Sequence, residues 1–262
     1  MADITLADIL LWEPRLRPVG GIAPPEWDER EITWSVTART SSPMLPSIRG
    51  GELVLLPGRV IADSGLTLPA LLRELSGHGA GAVVLDQPLA ERSPIPALIA
   101  EAIPSDFESD LNRLLTERRG ELYRAGTDLG RLLMNAGSAG ADLAAILALA
   151  SEFLDAPVTV RNQQGGVIAS AGSERARELS PDGEALRTRL ASGETLSIGP
   201  VPTAKRALVR LAAERIALAA EAAIQRAANA RPRGPARAAA LTALLTGAAP
   251  DPARAAALLG LP

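Results

Sequence analysis

Residues 32–58 read ITWSVTARTSSPMLPSIRGGELVLLPG, and this stretch decides the fold of the first part of the chain. Ile32, Trp34 and Val36 alternate with threonine and serine, which is the period-two pattern of a half-buried strand. The apolar run at 53–56 has the length and flanking glycines and proline of a buried strand. The stretch therefore predicts two paired strands separated by a polar, proline-bearing loop.

A strand–helix–strand pattern continues from this stretch. Four leucines have the spacing i, i+3, i+4, i+7 of one helix face: Leu68, Leu71, Leu72 and Leu75. The run at 82–85, AVVL, predicts another buried strand, so that 53–85 would form a parallel crossover unit. The apolar residues between 95 and 99 predict a further short helix.

Two blocks of sequence resemble the N-terminal sensory domain of the PucR (purine catabolism regulator-like) transcription factors. These blocks are W-x-V-T at 34–37, followed by the Ser/Pro loop, and R-G-G-E-L-V-L-L at 49–56. The opening ITLADILLWEPRLRPVGG, residues 4–21, is similar to that family's first segment. The resemblance implies a domain that senses small nitrogen-rich metabolites, such as purine breakdown products.

Five residues around the two predicted strands are candidates for ligand binding: Trp34, Arg39, Ser41, Arg49 and Glu52. An arginine can pair with a carboxylate or ureide oxygen of a ligand, and a glutamate can accept hydrogen bonds from ligand N–H groups. The alternative places Trp34 in the core. Under that alternative Arg39 and Arg49 are surface residues, and Glu52 pairs with a neighbouring arginine.

Residues 110–136 follow alternating steps of four and three, which predicts one long helix with a heptad seam. The leucines of this seam are Leu111, Leu115, Leu122, Leu129 and Leu132. Two interpretations stay open at this point. The seam is either the coiled-coil interface of a homodimer, or the core-facing side of a helix within one protomer.

In the second half of the chain, the pattern predicts a helix at 142–154 followed by a hairpin at 158–169 with a polar glycine turn. This order of elements is similar to the start of a GAF-like sensor domain. A helical segment is expected at 183–191, a strand at 195–198 and an alanine-rich helix at 205–228. With so few later strands, we expect a reduced GAF-like module.

The predicted fold class is α/β, with four parts. Residues 1–108 form a mixed or parallel α/β sensory domain, and 109–138 form a long connecting helix, which also dimerises under the coiled-coil interpretation. Residues 139–230 form a reduced GAF-like α+β domain that ends in the alanine-rich helix, and 231–262 form a linker and helical lead-in. Under the resemblance, DNA contact requires a C-terminal helix-turn-helix domain that this chain does not reach. We therefore expect a fragment, or a shortened relative, of a longer regulator.

Composition argues against several other classes of protein. The chain has no cysteine, which excludes disulfides and thiol catalysis and fits the reducing cytoplasm. Its one histidine, His78, lies in a glycine-rich helix exit, and no nucleophile elbow or zinc ligand set accompanies it. The formal net charge of −3 gives no basic field for nucleic acid. No apolar run approaches the roughly 20 residues of a membrane-spanning helix.

We therefore expect a cytoplasmic, non-enzymatic regulator that works as a homodimer without metal or cofactor. A ligand-independent dimerisation scaffold is the alternative function, and a small-molecule enzyme is a third hypothesis.

Overall fold

The computed structural model describes residues 4–21, 23, 25–40, 47–89, 92–172, 185–201, 203–230, 235–247 and 251–259. These residues form a mixed α/β structure, which confirms the predicted class. The chain divides into two compact units: unit 1 comprises Met1–Asp128 and Val201–Ala212, and unit 2 comprises Leu129–Pro200 and Ala213–Pro262.

Unit 1 is built on a five-stranded sheet. Its strands are β1 (Arg17–Pro18), β2 (Ser35–Thr37), β3 (Leu53–Leu56), β4 (Ala82–Leu85) and β5 (Ala97–Ile99). The strand order is β1-β5-β4-β3-β2. Strands β2 to β5 run parallel, while β1 runs antiparallel to β5. The predicted pairing of the two strands in 32–58 is confirmed, and β2 is an edge strand.

The helices of unit 1 flank this sheet. They are α1 (Leu6–Trp12), α2 (Gly58–Ser64), α3 (Leu68–Gly77) and the first part of α4 (Phe107–Ser138), with a 3₁₀ turn at Pro25–Asp28. Helix α1 begins after Thr5, whose backbone and hydroxyl both donate to the Asp8 carboxylate at 2.9 Å. This capping box satisfies donors that the first helical turn would otherwise leave free.

The two faces of the sheet carry separate apolar cores. Leu53 and Leu55 belong to a cluster with residues of α1 and α4. Val54 and Leu56 belong to a second cluster with residues of α2 and α3. All four side chains are fully buried, and each such burial stabilises the fold by about 1.5–3 kcal/mol. The run LVLL contains no polar residue because both faces of the parallel sheet are covered.

Two predictions in unit 1 were wrong in detail. The short helix expected between 95 and 99 is strand β5, because a brief apolar run does not by itself distinguish strand from buried helix. The alternation in the first predicted strand predicts that Trp34 is buried on the apolar face of that strand. Instead Trp34 lies one residue before β2 with 43% of its surface exposed, and Ser35 is fully buried.

Unit 2 contains a four-stranded antiparallel sheet. Its strands are β6 (Val158–Arg161), β7 (Val167–Ala171), β8 (Leu186–Arg189) and β9 (Thr195–Ile198), in the order β7-β6-β9-β8. The predicted hairpin and the predicted strand at 195–198 are confirmed. The helical segment expected at 183–191 is wrong for the described residues, because β8 pairs with β9 there. Residues 183 and 184 lie outside the described ranges.

The helices predicted at 142–154 and 205–228 are confirmed. The helices of unit 2 comprise the end of α4, then α5 (Leu143–Leu154), most of α6 (Arg206–Ala230), α7 (Pro235–Leu245) and α8 (Pro252–Leu259). Helix α5 starts at Asp142, whose carboxylate accepts from Ala145 N at 2.8 Å. Val158, Val160 and Leu196 point into the core of this unit and are fully buried.

Candidate functional site

The free edge of β2 is occupied by a side chain of α4. An edge strand exposes backbone N–H and C=O groups that seek partners. Asn112 Oδ1 accepts from Ser35 N at 2.8 Å and from Ser35 Oγ at 2.9 Å, and Asn112 Nδ2 donates to Ser35 O at 2.9 Å. Both residues are buried. The carboxamide therefore bonds β2 as the backbone of a further strand would.

Two more side chains of α4 continue this contact along the same edge. Thr37 N donates to Glu108 Oε2 at 3.0 Å. Arg119 Nη2 donates to Ile32 O at 3.0 Å and to Thr33 O at 2.8 Å. Glu108, Asn112 and Arg119 are separated by four and seven positions, which places them on one side of a helix.

This polar contact couples β2 to α4 directly. Each buried backbone group left without a partner would cost about 1–3 kcal/mol. Displacing α4 from the edge is therefore unfavourable unless water or another group takes over its hydrogen bonds. A change at the edge of the sheet and a change at the start of α4 are therefore energetically linked.

An open groove of about 770 Å³ lies beside this contact. Its lining residues come from the start of α4 and from the residue before β2: Trp34, Ser105, Glu108, Ser109, Asn112, Arg113, Thr116 and Glu117. The volume lies within the range of small-molecule sites. An exposed tryptophan beside several polar groups gives the groove an apolar surface together with hydrogen-bonding partners.

The structure places the five predicted ligand residues in different surroundings. Trp34 lines the groove. Arg39 is exposed after the end of β2, and Arg49 is exposed in the turn before β3. Glu52 is 6% exposed, and its two carboxylate oxygens accept from Arg49 N at 2.9 Å and Gly50 N at 2.8 Å. Ser41 lies outside the described residues.

These residues do not form one described cluster. Trp34 precedes β2 and Arg39 follows it, and five residues of extended chain span about 16 Å. Glu52 closes the turn that precedes β3 through the backbone of Arg49 and Gly50, so its carboxylate already has two partners. Ligand binding by Arg39, Arg49 and Glu52 stays a prediction, whereas Trp34 has a groove beside it.

The leucine seam divides into buried and exposed positions. Leu111 and Leu115 are each 1% exposed and lie in the core cluster of unit 1, and Leu122 packs against that cluster. Leu129 is fully buried, while Leu132 is 44% exposed. The core-facing interpretation therefore describes Leu111 and Leu115. A dimer interface involving the seam stays a prediction.

Unit 1 also contains a buried ion pair that joins distant parts of the sequence. Arg210 Nη2 pairs with Asp8 Oδ2, the oxygen that caps α1. The side chains are 16% and 5% exposed. The first turns of α6 are thereby fixed to α1, across 202 positions of sequence.

Sequence reasoning missed Asn112, Glu108 and Arg119. The available signal was a polar residue, Asn112, directly after Leu111 on the apolar side of a predicted helix. A polar group at such a position needs a partner when it is buried, but the sequence does not identify that partner.

Within the described ranges, no group of three or more His, Cys, Asp or Glu side chains is placed to hold a metal ion. No helix in these ranges combines the length and the apolar character needed to cross a membrane. Comparison with protein-family models, with curated proteins and with solved structures finds no match to this chain.

Proposed function

We propose that this chain is the sensory region of a PucR-like transcriptional regulator, and that the groove beside Trp34 receives a small nitrogen-rich metabolite. The observation that carries this proposal is the hydrogen bonding between Ser35 and Asn112 at the wall of that groove. A ligand seated there would contact Trp34 and α4 together, and would thus act on the edge of the sheet and on the helix at once.

The proposed signal passes along α4. This helix has 32 residues and contributes to both units. A ligand shifts such a helix only if it binds two arrangements of the groove with different affinity. The arrangement with β2 bonded to Asn112 is one of these states. The other would exchange those bonds for bonds to the ligand or to water.

The proposal includes a cytoplasmic homodimer. DNA contact would belong to a C-terminal domain outside the 262 residues of this chain. The helices of one protomer would pass the change to that domain, and no membrane component is involved in the proposed mechanism.

Thermal unfolding and calorimetry with a panel of purine catabolites and amino acids test the ligand proposal. A ligand present at 100 times its Kd stabilises the folded protein by about 2.7 kcal/mol, which raises the unfolding temperature. We expect Trp34→Ala to abolish this shift. Leu66→Ala is the matched control, because Leu66 is 45% exposed in unit 1 and does not line the groove. Absence of any ligand-induced shift in the wild-type chain would refute the sensory proposal.

A ligand-independent dimerisation scaffold is the second candidate function. Within unit 2, the end of α4 and the adjoining part of α6 form an apolar groove of about 490 Å³. Small residues line it, namely Gly130, Gly137, Ala219 and Ala222. Met134 and Leu218 also line it and are 66% and 68% exposed, respectively. A second copy of this surface would remove both side chains from water.

Analytical ultracentrifugation at micromolar concentration tests the scaffold, and the ligand titration above separates it from the sensory proposal, which also includes a homodimer. If the scaffold is correct, the chain is a dimer without ligand, and Leu218→Lys with Met134→Lys makes it a monomer. Leu245→Lys is the matched control, since Leu245 is 80% exposed on another helix. Leu129 is unsuitable for this test because it is fully buried and its substitution would unfold the protomer. A wild-type monomer contradicts the scaffold.

A further inference from the structure

We infer that the groove beside Trp34 selects an organic cation, with a planar N–H-rich group such as a guanidinium or amidinium. This inference rests on the proposed ligand site and adds the chemical class of its ligand. Tryptophan is the side chain that attracts cations most strongly through its ring. Trp34 lines this groove, and 43% of its surface is exposed.

The two carboxylates of the groove are available to a cation. Glu108 uses Oε2 to accept from Thr37 N, which leaves Oε1 without a described partner. Glu117 is exposed. Neither carboxylate has a cationic partner among the described residues. A guanidinium or amidinium can donate two parallel hydrogen bonds to such a carboxylate.

Arg113 is the one cation among the described residues that line the groove, and its charge is already compensated. Arg113 Nη2 pairs with Asp110 Oδ1 at 3.0 Å. The other nearby arginines do not line the groove: Arg118 pairs with Glu121 at 2.9 Å, and Arg119 donates to the backbone before β2. The charged residues that line the groove, Glu108, Arg113 and Glu117, carry a formal charge of −1, from two carboxylates and one guanidinium, so the lining favours a cation over an anion.

The neutral polar groups of the groove mainly offer acceptors. Ser109 Oγ donates to Asp106 O at 2.7 Å, and Thr116 Oγ1 donates to Asn112 O at 2.8 Å. Both hydroxyls therefore present lone pairs to a ligand. The Asn112 carboxamide is engaged by Ser35. The donors left in the described lining include Ser105, the Trp34 indole N–H and the Arg113 N–H groups that Asp110 does not engage, whereas both glutamates and both hydroxyls offer acceptors, so a ligand rich in donors fits this lining better than one rich in acceptors.

Isosteric probe pairs test the charge requirement on the full chain. The pairs are benzamidinium with benzamide, and methylguanidinium with methylurea. Binding is followed by calorimetry and by tryptophan fluorescence. We expect the cation of each pair to bind at least about fivefold more tightly, as expected for a cation–π contact combined with a charge-assisted hydrogen bond. Raising the salt concentration should reduce this preference.

Two variants locate the effect in the groove. Glu117→Gln should reduce the preference for the cation by about threefold or more, while Glu101→Gln, an exposed control in unit 1 outside the groove, should leave it unchanged. Trp34→Leu should weaken binding of both cations.

The outcomes separate this inference from the sensory proposal. If an uncharged or anionic metabolite binds in a Trp34-dependent manner and the cations do not, the sensory proposal stands and the cation inference is overturned. If benzamidinium binds both Trp34→Leu and Glu117→Gln as tightly as it binds the wild-type chain, the inference is also overturned. If neither the probes nor the metabolites bind the wild-type chain, both proposals fail.

Discussion

Asn112 and Ser35 are joined by three hydrogen bonds, although 77 positions separate them in the sequence. The asparagine supplies an acceptor and a donor in the orientation of a peptide group, and it does so from a helix. The edge of the sheet is therefore bonded without another strand, which also removes the free edge that would invite pairing with a second chain.

We predict that Asn112→Ala destabilises the protein by about 2–4 kcal/mol, because it leaves Ser35 N and Ser35 O buried without partners. Urea denaturation monitored by circular dichroism measures this loss. Asn135→Ala, at an exposed position of the same helix, should change the free energy of unfolding by less than about 0.5 kcal/mol. If Asn112→Ala matches this control, the edge contact contributes nothing to stability.

The ion pair between Glu13 and Arg15 predicts a pH-dependent contribution to stability. Arg15 Nε and Nη2 donate to Glu13 Oε1 and Oε2 at 2.8 and 2.7 Å. The hydrogen bond from the Arg15 side chain holds the pKa of Glu13 below its ordinary value, against the opposing effect of burial. Arg15 also lies over the Phe107 ring, 4.5 Å from its centroid.

The direction of the pH effect follows from this lowered pKa. The carboxylate of Glu13 stabilises the folded state above the pKa that it has in the unfolded chain, and this contribution disappears as the pH falls through the lower folded-state pKa. We expect Glu13→Gln to lower the free energy of unfolding by about 1 kcal/mol at pH 7. The difference from wild type should vanish in acid. Urea denaturation at several pH values checks both, and an unchanged difference in acid would contradict the assignment.

The pairing of Arg210 with Asp8 predicts a third loss of stability. Arg210→Met keeps much of the apolar stem but removes the cation from a buried carboxylate. We expect a cost of about 1–3 kcal/mol, since Asp8 retains its bonds from Thr5. Arg73→Met is the control, because Arg73 is exposed and its described hydrogen bond lies within its own helix, to Pro69 O at 3.3 Å. Equal stability of the two variants would show that the ion pair contributes little.

Much of the fold follows from local sequence, while the site depends on distant partners. The run Leu53–Leu56 is bounded by glycines and proline, so its strand could be predicted. The segments 97–99 and 186–189 are too short for the periodicity of their apolar residues to distinguish strand from helix. Both are strands because they pair with neighbouring strands. The sequence could identify Trp34 as a candidate, but it could not predict that Trp34 is exposed, because the pattern did not show that β2 begins only at Ser35. Glu108 lies 71 positions from its partner Thr37, so no local pattern connects them.

Two glycines of unit 1 give opposite predictions for the same substitution. A Cβ on Gly81 would lie 2.7 Å from Ile32 Cδ1 and 2.8 Å from Gly51 O. The oxygen belongs to the backbone before β3, so it has little freedom to move. Gly120 lies inside α4, and a Cβ there would meet nothing within 4 Å.

We therefore expect Gly81→Ala to destabilise the protein by about 1–3 kcal/mol through overpacking. Gly120→Ala should stabilise it by about 0.5–1 kcal/mol, because alanine loses less backbone entropy in a helix than glycine. Thermal and urea unfolding of both variants measure the difference. The close approach of the chain at Gly81 brings Gly51 against the start of β4, beside the loop that precedes β3. If Gly81→Ala leaves the free energy of unfolding unchanged, the backbone at Gly51 can move to make room for the added methyl group. The close approach to Gly81 then does not constrain the start of β3.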